Sequence, residues 1–82
     1  MYKYESMAII IKEYLSSLNT PTAQLTALDA RKLSGMDQYA ANTCYKNIAK
    51  AMDYVATIYF EGNALNEEKR GNSTFTYEYI LK

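Results

Sequence analysis

The chain contains no histidine and a single cysteine, Cys44. Without His, the usual general base near neutral pH and the commonest metal ligand are both missing. One Cys excludes an internal disulfide and any Cys-rich zinc site, and Cys44 reads as a small core hydrophobe. No GxxxxGKS/T or GxGxxG run occurs, so no phosphate cradle is visible. An enzyme has no positive support: no catalytic residue, metal ligand set or cofactor is expected. Neither sign of charge is in excess, because nine Lys plus Arg offset nine Asp plus Glu. That balance weighs against a strong nonspecific nucleic-acid binder. The longest apolar run of the N-terminal segment, Met7 to Ile11, is too short to cross a bilayer. Tyr and Lys precede it, which is not the layout of a signal peptide. A soluble cytoplasmic protein is expected, prokaryotic or viral, with no membrane or small-molecule partner.

What is present is an ordinary folding composition: 82 residues, 49% hydrophobic and 22% charged. That suits a single domain with one core, spanning 1–82. Tyr4, Met7, Ala8, Ile11, Tyr14, Leu15 and Leu18 recur in steps of three and four and predict an amphipathic helix. Ile9 and Ile10 widen its apolar sector, and Asn19-Thr20-Pro21 ends it. Thr22 to Leu25 reads as a small strand. Thr26 is placed as an N-cap with Asp29 three residues on, close to a capping box. The helix that follows is expected to bury Leu28, Ala30 or Arg31, and Leu33, and to end on Gly35 in a left-handed cap.

Met36 reads as a buried turn residue and Asp37 as a second N-cap. A third helix then carries apolar groups at Ala41, Cys44 or Tyr45, Ile48 and Met52. Its other face holds Gln38, Tyr39, Asn42, Thr43, Lys46, Asn47 and Lys50, with no carboxylate before Asp53. Tyr54 to Phe60 is rich in β-branched and aromatic residues and reads as a strand. A helix running on to Phe60 is the rival, since Val55 and Ile58 continue the stripe loosely. Arg70-Gly71-Asn72-Ser73 signals a turn. In the last strand Phe75, Tyr77, Tyr79 and Leu81 share one face. Of the nine Tyr, residues 14, 45, 54, 77 and 79 are expected in the core, and 2, 4 and 39 at the surface.

Helix, short strand, helix, Gly turn, helix and C-terminal hairpin are carried by "TALDARKLSGMD", "AANTCYKNIAKAM" and "NEEKRGNSTFTYEYIL". This order resembles the winged helix-turn-helix family over nearly the whole chain, with the size and layout of small bacterial and mobile-element regulators. The resemblance implies an α+β, mostly helical fold: a three-helix winged helix-turn-helix with a C-terminal β-hairpin wing. Helix 1 then spans about 3–18, helix 2 about 27–33, the recognition helix about 38–52 and the wing about 54–81. The family's short step from recognition helix to wing contains a Gly, whereas none occurs here before Gly62. Either helix 3 is extended or the wing is long.

The family resemblance implies sequence-specific binding of double-stranded DNA, with helix 3 in the major groove and the wing on phosphate or the minor groove. Such a protein serves as a small transcriptional regulator or as the DNA-binding module of a replication or mobile-element protein. Gln38, Tyr39, Asn42, Thr43, Lys46, Asn47 and Lys50 are the contact residues expected on the helix, and Lys69, Arg70 and Asn72 on the wing. Amides suit adenine, and Lys suits guanine or phosphate. The competing reading of each is an ordinary solvated helix face or hairpin tip. A homodimer fits an inverted-repeat site. The alternative function is a protein–protein interaction module on the same fold, using Tyr-rich surface.

Overall fold

The computed structural model describes residues 4–35 and 41–82, with side chains from residue 44 onward in the second stretch. The expected contact residues Gln38 and Tyr39, with Met36 and Asp37, lie outside the described residues. So do the side chains of Asn42 and Thr43, and Tyr2.

Helix α1 (Tyr4–Ser16) buries Met7, Ala8, Ile11 and Leu15 along one stripe. Ile9 is half-exposed and Ile10 partly buried, so of the three consecutive Ile only Ile11 lies fully in the core. Tyr14 is also an exposed residue rather than a core one. Strand β1 (Thr22–Thr26) follows and turns Leu25 inward.

Helix α2 (Ala27–Ser34) starts on a complete capping box. Thr26 Oγ1 accepts from the Asp29 amide at 3.1 Å, and the Thr26 amide donates to Asp29 Oδ2 at 3.4 Å. Two further orphan amides of the first turn are satisfied across the fold: Ala27 N–H donates to Phe75 C=O at 2.7 Å and Leu28 N–H to Ser73 C=O at 3.1 Å. Gly35 ends the helix at φ 73°, in the left-handed region. The buried side of α2 includes the expected Ala30 but not the two Leu residues. Ala27, Ala30 and Ser34 are buried, while Leu28 and Leu33 are exposed. Small side chains let this short helix sit close to its neighbours, and the larger Leu side chains are left on its outer side.

Helix α3 (Ala41–Ile58) buries Cys44, Tyr45, Ile48, Ala49, Ala51, Met52 and Val55. The strand expected over 54–60 is therefore not formed, and most of that segment is the end of α3. Burying Val55 contributes roughly 2 kcal/mol, whereas the whole range of strand propensity spans about 1. Tertiary burial wins. Thr57, β-branched, is accommodated by donating from Oγ1 to Asp53 C=O at 3.0 Å.

The sheet joins β1 to two C-terminal strands and is antiparallel throughout. Strand β3 (Thr76–Ile80) is central, with β2 (Glu61–Ala64) on its other side. Tyr77 pairs with Leu25 and Ala64, and Tyr79 with Ala23 and Gly62. These residues face the helices, and the alternation read from the sequence over 75–81 is present: Phe75, Tyr77 and Tyr79 are buried and Leu81 packs against them. The Tyr79 hydroxyl donates to Met52 C=O at 2.9 Å, which ties the sheet to the middle of α3. The outer face carries Gln24, Glu78 and Asn63 in one row and Thr22, Ile80 and Glu61 in the next. The molecule is thus a small α+β domain of three α-helices and a three-stranded antiparallel sheet among the described residues. No helix among them is long and apolar enough to cross a membrane.

Candidate nucleic-acid interface

The loop joining β2 to β3 is built by its own hydrogen bonds. Asn66 accepts from the Thr76 amide at 2.7 Å and donates to Thr74 C=O at 2.8 Å, closing the neck of the loop. A 3₁₀ turn at Glu67–Lys69 follows, and the Asn72 amide donates to Lys69 C=O at 2.9 Å. Gly71 has φ 93°, which a side chain would strain.

This loop leans on α3 through Arg70. The Arg70 Nη1 and Nη2 donate to Asp53 Oδ2 and Oδ1 at 2.6 and 3.2 Å. Nη2 and Nε also donate to Glu67 Oε1 and Oε2, both at 2.7 Å. The guanidinium lies 4.8 Å from the centre of the Phe75 ring. Asp53 Oδ1 also accepts from the Tyr77 hydroxyl at 2.7 Å. The hydrogen bonds from Arg70 hold the Glu67 carboxyl below the usual carboxylate range, and those to Glu67 and Asp53 push the guanidinium pKa up.

An open cleft of about 420 Å³ lies between α3 and this loop, lined by Lys46, Ala49, Lys50, Arg70 and Gly71. Lys46 and Lys50 are one turn apart, exposed, and point to the same side. Three of the expected contact residues are thus brought together here. Lys69 and Asn72 flank Arg70 and Gly71 on the loop and are exposed. Asn47 is half-buried and does not line the cleft. Asn42 and Thr43 belong to the first turn of α3 by their backbone.

The partners of Arg70 were not visible in the sequence. Glu67, three residues away, is a local signal, but Asp53 and Tyr77 reach the site only through the fold. Lys46, Lys50 and Lys69 share the side of α3 and the loop with Asp53, Glu67 and Glu68, while Glu78 alternates with the buried Tyr77 and Tyr79 on the outer sheet face.

Arg31 on α2 lies 5.4 Å from the centre of the Tyr45 ring and donates to its hydroxyl at 3.3 Å, joining α2 to α3. Among the described residues no group of three or more Cys, Asp or Glu is arranged to hold a metal ion. Cys44 is fully buried. No protein-family model matches the chain, and neither a curated protein nor a solved structure matches it significantly.

Proposed function

We propose that the chain is a winged helix-turn-helix module that binds double-stranded DNA in the cytoplasm. The order α1-β1-α2-α3-β2-β3, with β3 between the other two strands, supports that family reading. In it α2 and α3 form the helix-turn-helix, and the β2–β3 loop is the wing. The observation that carries the functional reading is the cleft between α3 and the loop, with Lys46 and Lys50 on one wall and Gly71 on the other. A phosphate backbone fits such a place: two cations one turn apart on a helix, facing backbone that lacks a side chain. α3 then lies in the major groove, with Lys46 and Lys50 toward the phosphates beside it. Such binding would serve a small transcriptional regulator and the DNA-binding module of a replication or mobile-element protein alike.

The first test is fluorescence anisotropy against a pool of random duplexes at low salt. Binding that weakens steeply with salt is the expected result. No binding at low salt contradicts the proposal. The second reading is a protein-interaction module. It is favoured by the exposed Tyr14 and Leu33, which border a cleft of about 350 Å³ between α1 and α2. A chain that ignores duplex DNA and forms a stable complex with a protein would support that reading.

A further inference from the structure

Arg70 is the wing cation nearest α3, and on charge alone it is a natural phosphate ligand. Its geometry argues otherwise. Nε, Nη1 and Nη2 are all engaged by Asp53 and Glu67, at 2.6 to 3.2 Å. The guanidinium carbon lies over the Phe75 ring, 4.8 Å from its centre. Moving it to a phosphate would leave two carboxylates beside the DNA without their counter-ion, and it would uncover the ring. The bonded group of Asp53, Glu67 and Arg70 has a formal charge of −1, so as it stands it does not attract phosphate.

We propose that Arg70 is a positioning residue: forked onto Asp53 of α3 and Glu67 of its own loop, it fixes the wing against the recognition helix. It thereby sets the width of the cleft that Lys46, Lys50 and Gly71 present to the duplex. Tyr77 holds the other end of the brace. Its hydroxyl donates to the same Asp53 Oδ1 that Arg70 Nη2 reaches, so strand, helix and loop meet on one carboxylate. Phosphate contact on the wing then falls to Lys69 and to backbone at Gly71. The inference rests on the DNA-binding reading for its consequence, but not for the brace itself.

The brace and a direct electrostatic role predict opposite signs for Asp53→Asn. Removing a carboxylate next to a phosphate-binding cleft tightens DNA binding if charge alone matters. If Asp53 positions the wing, the variant binds duplex roughly three- to tenfold more weakly, the cost of ordering one or two freed side chains on binding. Arg70→Lys keeps the charge and loses the fork, so it weakens binding similarly with the salt slope unchanged. Asp53→Asn keeps an oxygen to accept from the Tyr77 hydroxyl, and Arg70→Lys keeps an aliphatic stem beside Phe75, so both variants retain these core contacts.

Amide hydrogen exchange of the free variants supplies the readout that needs no DNA. The Asn72 and Phe75 amides, bonded to Lys69 C=O and Asn72 C=O, exchange faster in both variants if the brace holds the loop. Weaker duplex binding by Asp53→Asn together with faster loop exchange supports the inference. Tighter binding by Asp53→Asn overturns it, and so does unchanged loop exchange in both variants. If the parent protein binds no duplex, the functional reading fails separately, and exchange alone decides the brace.

Discussion

Gly62 of β2 lies against the ring of Tyr79 on β3: a Cβ built at Gly62 would stand 2.7 Å from Tyr79 Cδ1 and 3.0 Å from Glu78 O. Tyr79 is fully buried and tied by its hydroxyl to α3, so the ring has no direction in which to yield. The need for Gly here is one of space. Gly62→Ala is expected to destabilise the domain by ~1–3 kcal/mol through overpacking. The check is a denaturant midpoint that falls with little change in slope. An unchanged midpoint would show that the sheet opens freely at this edge.

The capping box makes a second prediction about stability. Thr26→Ala removes the acceptor for the Asp29 amide and should cost about 1 kcal/mol. Thr26→Ser keeps the oxygen and should retain most of that stability. Equal losses in the two variants would assign the effect to strand packing of the Thr methyl group.

Alkali should unfold the domain through its buried tyrosines. Burial first, and the hydrogen bond to Asp53 next, push the Tyr77 hydroxyl up to about 12. Burial pushes Tyr79 higher still. A raised folded value means stability that is fully present below the ordinary tyrosine value near 10 and is lost as pH rises through the folded values. Tyrosinate absorbance should therefore contain a late fraction, from Tyr77 and Tyr79, that appears together with loss of circular dichroism. Tyr77→Phe should move that late step to higher pH, while costing about 1 kcal/mol at neutral pH for the lost hydrogen bond. All rings titrating together with the fold intact would contradict the packing described.

Acid acts on the brace rather than on the core. The folded Glu67 value is lowered by Arg70, so its contribution is present above the ordinary carboxylate value of 4.5 and is lost as pH falls through the lower folded value. Loop amide exchange, corrected for its intrinsic pH dependence, should be steady at neutral pH and accelerate only in that acidic window. Loosening near neutral pH would mean that another group holds the loop.

Local signals in the sequence led directly to structure. Thr26 with Asp29, Gly35 at the helix end, and the alternation of Phe75, Tyr77 and Tyr79 each depend on neighbours within a few residues. Where the answer depended on distant partners, the sequence misled. Tyr54 to Ile58 has strand composition, yet Val55 completes the buried stripe of α3. The strand falls instead on Glu61–Ala64, a segment of weak strand formers that pairs because β3 lies beside it. Leu28 and Leu33 promised a buried face, but α2 buries Ala27 and Ser34 beside the expected Ala30. For the site, Lys46, Lys50 and Arg70 were each identifiable as candidates. That Arg70 is engaged by Asp53, seventeen positions away, was not, because only the fold brings them together.

The most direct test of the DNA-binding account is the salt dependence of duplex affinity, measured by anisotropy for the parent chain and for Lys46→Ala combined with Lys50→Ala. If both lysines meet phosphate, log K against log salt has a steep negative slope that flattens by ~2 units in the double variant. A double variant that binds as tightly as the parent, with the same slope, would contradict the assignment of α3 as the docking element.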